Sequence, residues 1–549
     1  MCAPSYRCTT GSAWVASRPC RPASSADRAL AVRCPPARTA DGSSTGSDAS
    51  ALHEDDAHMT QNFTLRRVAL QERDRREPLL CDLTFRQGRL SRLQPLPAGE
   101  TPRLYATPGF WDAHIHLLHL GMGARRIDLS STSSLEEALQ ALAERSRALS
   151  DDGVLWGVGW DESRWREGRP PVREEIDHWV AERPVVMRRV CGHLAILNSA
   201  ALETARTRWP DIEPAGRLIE ERSMALAQLW PESPEERVAA LREVQHRALS
   251  MGITRVSEMG SSGATEAYVS LAEAGALRLA VDLFLPATAI ERACELRDAG
   301  CFAGRKLRLG GIKLFTDGSV GARTAAFLEP YADRQESGTL LYADHALYEQ
   351  LAACRERDLR VAVHAIGDAA LGQLLRQLER LAAAGPLPPG WVSVEHAELP
   401  RPDMLDRAAD LGVRFSMQPN FVARWGQPGG LYARALGGER WRRLNPFRAI
   451  WDGGFPFVFG SDGMPMDPVL GLQGAVQHPV TEQRLTPAEA LTVYLGGRHA
   501  PRGYWDAHDW WRSGCAGAVL YREDPRELGT GGMEAAPIVG LLWEGEWVV

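Results

Sequence analysis

The chain has 549 residues, a formal net charge of −7 and an ordinary share of apolar residues, a profile that fits a soluble globular protein and gives no reason to expect nucleic acid or an anionic membrane as partner. Its apolar runs are broken by Arg, Asp or Glu well short of the roughly 18 residues a spanning helix needs. One large α/β barrel with appendages accounts for the length, and the expected partner is a small-molecule substrate.

The stretch from Met1 to about His58 is rich in Ser, Ala, Pro and Arg and has no apolar periodicity. Residues 1–58 are therefore expected to form a disordered N-terminal extension. Met59 directly precedes the first strand-like pattern, so an over-long start is preferred here to a transit peptide. Cys2, Cys8, Cys20 and Cys34 fall in this stretch, and the other cysteines are scattered without a C-x-x-C pair. That usage suits a reducing, cytoplasmic setting better than a zinc ribbon or a disulfide framework.

From Phe63 to Leu93 the pattern alternates in strand fashion, and Gly517–Leu520 and Pro537–Val549 do the same at the other end. Residues 59–107 and 506–549 are thus expected to close one small β-sandwich domain. Between them lies the alternation of strand-like and helical runs that marks a parallel α/β barrel. Eight runs qualify: Tyr105–His114, Gly252–Met259, Leu279–Leu285, Leu309–Phe315, Leu359–Ile366, Val392–His396, Val413–Gln418 and Phe455–Ser461. The count requires that Val154–Val158 and Val185–Val190 belong to an insertion, at about residues 130–248, whose Arg/Glu-rich part from Leu135 to about Ala248 would cover the barrel mouth. The expected architecture is a TIM-type (β/α)8 barrel over residues 108–505 with an insertion after its first strand.

The strongest local signal is Pro108-Gly109-Phe110-Trp111-Asp112-Ala113-His114-Ile115-His116, an apolar strand ending in two histidines spaced i and i+2. In extended chain this spacing puts both imidazoles on one face, where they can bind one metal from inside a barrel. Alone, the pair is as readily structural, and His119 is expected to be a surface or supporting residue. Other strands, however, also end in ligand-type residues: Lys313 on the fourth, His364 on the fifth, His396 on the sixth and Asp462 on the eighth. Barrel strand ends converge on one face.

A lysine among apolar strand residues must be neutralised, because desolvation disfavours its ammonium form. Carboxylation by carbon dioxide would make Lys313 an anionic carbamate able to bridge two divalent cations. Pairing with a carboxylate such as Asp317 or Asp462 is the alternative.

Beyond these residues, Gly157-Val158-Gly159-Trp160-Asp161-Glu162, Gly192-His193, Asn198-Ser199-Ala200-Ala201-Leu202, Asp317-Gly318-Ser319-Val320-Gly321-Ala322-Arg323-Thr324, His364-Ala365-Ile366-Gly367-Asp368 and Glu395-His396-Ala397 together resemble the amidohydrolase superfamily. Within it they resemble the YtcJ-like branch (amidohydrolase family 3), which includes N-substituted formamide deformylase. The similarity runs from about Pro108 to Ala500.

The resemblance implies one or two divalent ions, usually zinc, with His114 and His116 on one metal, His364 and His396 on the other, and carboxylated Lys313 between them. Asp462 would touch metal and nucleophile, and would carry a proton from metal-activated hydroxide to the leaving amine. His193 is the candidate for orienting the substrate carbonyl, with an ordinary loop histidine as the competing reading. Asp317, Arg323 and Asp368 are as readily structural.

The implied activity is hydrolysis of a carbon–nitrogen bond other than a peptide bond, in a small amide or N-substituted formamide. A cyclic-amide or ester hydrolase or isomerase on the same site, and a catalytically silent metal- or small-molecule-binding homologue, are the alternatives. A homodimer is an assembly open to the family, although no segment assigns an interface. Gly517 replaces an aspartate usual in the family, and Trp505, Trp510 and Trp511 form a run with no assigned place.

Overall fold

The computed structural model describes residues 62–71, 77–86, 89–97, 99–124, 126–148, 153–189, 194–260, 263–304, 306–497, 518–528, 530, 538–543 and 546–548. The extension at 1–58, His193, Gly517 and the tryptophans Trp505, Trp510 and Trp511 lie outside them.

Eight strands form one sheet: β1 (Phe110–Ile115), β2 (Ile253–Met259), β3 (Ala280–Pro286), β4 (Leu307–Phe315), β5 (Val361–Ala365), β6 (Val392–His396), β7 (Arg414–Met417) and β8 (Phe457–Phe459). Each pairs in parallel with the next, and β2 also pairs with β1. β8 returns beside β1 to leave a nearly closed barrel. At that seam the Asp462 N–H donates to the His114 carbonyl at 2.7 Å and the Ser461 N–H donates to the Asp112 carboxylate at 2.9 Å. Gly460 permits the approach, because a Cβ there would lie 2.4 Å from the His114 nitrogen.

Helices cover the strands with apolar stripes. The helix Asp368–Ala382 buries Leu371, Leu374, Leu375, Leu378 and Leu381, the i, i+3, i+4, i+7 spacing of one helical face. The helix Pro234–Ser250, which packs beside the helix following β1, starts at a capping box. There the Glu236 N–H donates to the Ser233 hydroxyl while the Ser233 N–H donates to the Glu236 carboxylate.

The first barrel strand is shorter than the sequence pattern suggests. Tyr105–His114 reads as one run, but Leu104–Pro108 pairs with Phe63–Leu70 and Ala518–Tyr521 in another sheet, and only Phe110–Ile115 enters the barrel. Gly109 marks the break, since a Cβ there would stand 2.0 Å from the Thr254 hydroxyl. Both chain ends do contribute to that other sheet. Among the described residues it is a single seven-stranded layer, and two facing sheets of a sandwich are not seen. It rolls far enough for Trp547 near one edge to reach the Phe63 ring at 5.5 Å. Alternation divides its faces: Val519, Tyr521, Leu541 and Trp543 pack on the barrel core, while Ala518, Leu520 and Leu542 join Val68, Leu83 and Phe85 on the other side.

Residues 127–219 carry a five-stranded sheet between β1 and β2, of which the sequence reading recognised two strands, Leu155–Trp160 and Val185–Arg189. Both of its faces are buried. Leu155, Val185 and Met187 pack with the helix Leu135–Ala148, whereas Trp156, Val186 and Leu197 pack with the helix Ser199–Arg206. Burial on both faces is why the consecutive residues Val185, Val186 and Met187 are all apolar. No helix among the described residues is long and apolar enough to cross a membrane.

Candidate metal centre

The C-terminal ends of the barrel strands bring the sequence-selected residues together. His114 and His116 come from β1 and the turn after it, Lys313 from β4, His364 from β5, His396 from the end of β6, and Asp462 from the turn after β8. The His396 ring lies 4.8 Å from that of His114 and 4.4 Å from that of His364. His114 Nε2 and His116 Nε2 stand 3.6 and 3.4 Å from the same oxygen, Asp462 Oδ1. His193, expected over this centre, lies outside the described residues.

Backbone strain accompanies this convergence. His396 and Asp462 have φ of 74° and 54°, in the left-handed region that non-glycine residues rarely occupy. Such strain persists only where surrounding contacts impose it, and for Asp462 the seam bond to the His114 carbonyl is one such contact.

The imidazoles are held neutral. Burial, reinforced by neighbouring positive groups, pushes His116 down to about 4 and His364 to about 3, and drives His114 and His396 well below the ordinary histidine value. A neutral imidazole donates through one nitrogen and offers a lone pair on the other. His114 Nδ1 lies 2.7 Å from Glu395 Oε2, so Nδ1–H donates to that carboxylate and Nε2 keeps the lone pair facing Asp462. His364 Nε2 lies 2.9 Å from the Gly318 carbonyl, so the same logic leaves its lone pair on Nδ1.

Two buried polar atoms in this cluster lack any hydrogen-bond partner: Lys313 Nζ and His396 Nδ1. Burial pushes the Lys313 amine down to about 8 against the raising influence of Glu395 and Asp462, and pushes the Asp462 carboxyl up to about 7 against the lowering influence of Lys313. The simple pairing of Lys313 with Asp317 does not occur. Asp317 is instead occupied by the backbone N–H groups of Ala326, Ile366 and Gly367, at 2.9 to 3.0 Å.

The residues suit a divalent cation. The ligand atoms of His114, His116 and Asp462 all lie within 4.8 Å of one another. Contacts of 3.4 to 3.6 Å are too long for good hydrogen bonds, yet match donors arranged around a common ion at about 2.0–2.2 Å each. The lone pairs of the neutral imidazoles supply further donors.

Three residues outside the sequence-selected ligand set support this centre. Glu395 fixes the His114 ring. Asp112 accepts from the Ser461 hydroxyl at 2.5 Å as well as from its N–H. Glu258 accepts from the Leu117 N–H at 2.8 Å and lies 2.9 Å from the Tyr268 hydroxyl, anchoring the turn that carries His116. Asp112 is a carboxylate in a strand otherwise apolar up to His114, which is the signal that could have singled it out, whereas Glu258 and Glu395 share their strands with other polar residues. Of the residues read as equally structural, Arg323 chelates Asp333, and Asp368 accepts from the Leu328 N–H at 2.8 Å. Those contacts hold loops and do not reach the cluster.

The amidohydrolase family's sequence profile matches residues 104–499. The chain belongs to the amidohydrolase family. As an amidohydrolase it is an enzyme that hydrolyses carbon–nitrogen bonds. It is 29% identical over 449 residues to YtcJ of Bacillus subtilis (strain 168), a candidate amidohydrolase, covering 76% of this chain and 80% of that one. It is 24% identical over 393 residues to N-substituted formamide deformylase of Arthrobacter pascens, covering 65% and 70%. Among solved structures, an uncharacterized metal-dependent hydrolase of Pyrococcus horikoshii OT3 superposes with a TM-score of 0.68 at 27% identity, over 85% of this chain and 99% of the other.

Proposed function

We propose that this amidohydrolase is a zinc enzyme that cleaves small amides, with N-substituted formamides as its substrate class. The observation that carries the reading is the meeting of four neutral imidazoles, an unpartnered buried amine and a carboxyl raised to about 7 at one end of the barrel. His114, His116 and Asp462 would hold one ion, His364 and His396 a second, and Lys313, carboxylated on Nζ, would stand between them. A divalent ion so held lowers the pKa of water toward 7 and polarises the scissile carbonyl.

The chain's own groups then divide the work. Glu395 keeps His114 Nδ1 protonated, so that its Nε2 lone pair stays aimed at the centre. Asp462, poised near neutral pH, takes a proton from water and returns it to the leaving nitrogen. Phe315, whose ring lies 5.4 Å from that of His364, is exposed and offers an apolar surface on the β4 side of the centre. His193 remains the proposed donor to the carbonyl oxygen.

The test is release of free amine from a panel of N-substituted formamides by protein purified from zinc-supplemented cultures. Metal-dependent release that is lost in Asp462→Asn supports the proposal. Absence of release from every formamide and simple amide overturns it.

A further inference from the structure

A cavity of about 680 Å³ opens beside the centre on the side where His116 and Asp462 stand. Its wall is mainly apolar, from Leu118, Leu120 and Met122 on the helix after β1 and from Met464 after β8, with Glu232 of the inserted segment and His119 as further polar groups. No Lys or Arg is among the described residues of the wall. The Arg237 guanidinium stands outside it, 3.7 Å from Glu232. His119, read from the sequence as a surface or supporting residue, is exposed and lines this cavity.

We infer that the cavity holds the amine half of the substrate, and that the leaving group is an apolar amine without a carboxylate, not an amino acid. The direction rests on the amide-hydrolase reading: Asp462 passes its proton to the leaving nitrogen and also lines this cavity, so the substituent on that nitrogen lies here.

The step balances. Water adds to the carbonyl carbon, the carbon–nitrogen bond breaks with its electron pair going to nitrogen, and the proton that Asp462 took from water ends on that nitrogen. The acid product gives up its own proton, so a carboxylate and an ammonium leave. The apolar wall accommodates the amine's substituent, and Glu232, whose contact with Arg237 is a long 3.7 Å, offers the departing ammonium a negative partner. A carboxylate carried on the same amine would meet Asp462 and Glu232 with no Lys or Arg among the described residues of the wall to pair it, which selects against amino-acid amides.

Calorimetric titration of the zinc-loaded protein with hexylamine and with aminohexanoate tests this without turnover. Hexylamine is expected to bind at least about tenfold more tightly. Met464→Lys, at a side chain 45% exposed and so outside the core, is expected to reverse the preference. Equal affinities in the wild type, or an unchanged ratio in Met464→Lys, would overturn the assignment. Discrimination between the amines in a protein that hydrolyses no amide would sink the hydrolase reading alone, and turnover without discrimination would sink the amine pocket alone.

Discussion

His114 Nδ1 and Glu395 Oε2 lie 2.7 Å apart, both fully buried, on strands that are 281 residues apart in sequence. The carboxylate chooses the tautomer, and the tautomer decides which nitrogen can bind a metal. Glu395→Gln removes the charge that holds the ring and is expected to weaken metal affinity about tenfold to a hundredfold. Competition with a chromophoric chelator measures this directly, and unchanged affinity would show that the contact is incidental.

Asp462 contacts both histidines of the first strand and also forms part of the barrel seam. Asp462→Asn keeps the backbone bond and one ligand-type oxygen, so much of the metal is expected to stay while kcat falls about a hundredfold to ten-thousandfold. Metal content and steady-state rates on the same preparation separate the two effects. Metal loss equal to that of His114→Ala would remove the case for a distinct proton-carrying role.

Asp112 tests the seam itself. Burial pushes its carboxyl up to about 6, yet the Ser461 N–H and hydroxyl both donate to it. Asp112→Ala leaves those donors unpaired and is expected to cost about 1–3 kcal/mol of stability. A thermal melt indistinguishable from wild type would show that the seam does not depend on this residue.

The sequence made much of this centre legible because its residues break strand patterns in ways physics penalises. Lys313 within Gly311-Ile312-Lys313-Leu314-Phe315 and the paired histidines of β1 were conspicuous for that reason, and the structure brings both to one place. Asp112 breaks its strand in the same way, while Glu395 and Glu258 stand among other polar residues, and the partners of all three lie on other strands or in turns whose register a single sequence does not supply. The division of Tyr105–His114 between two sheets was hidden because Gly109 interrupts the run without changing its apolar character. The inserted sheet was under-read because its strands Leu194–Leu197 and Arg217–Ile219 are only 4 and 3 residues long, too short for alternation to show.

His478 offers a pH test away from the centre. Burial, with help from Arg484, pushes it down to about 4, while its Nδ1 accepts from the Val480 N–H at 3.1 Å. A depressed histidine stabilises the fold fully above its unfolded value near 6.5, and that contribution is lost as pH falls toward the folded value. The loss from this residue is on the order of 3 kcal/mol between pH 7 and pH 4. His478→Asn keeps an acceptor that does not titrate. Urea unfolding across this range is expected to give a flatter stability curve for the variant, and parallel curves would contradict the assignment.

The central claim is that Lys313 joins the histidines in holding metal. Elemental analysis of wild type and Lys313→Ala, purified in parallel from cultures supplied with bicarbonate and zinc, tests it most directly. The account predicts near two metal ions per chain in the wild type, falling to one or none in the variant. A wild type without bound metal, or a variant with undiminished content, would contradict it.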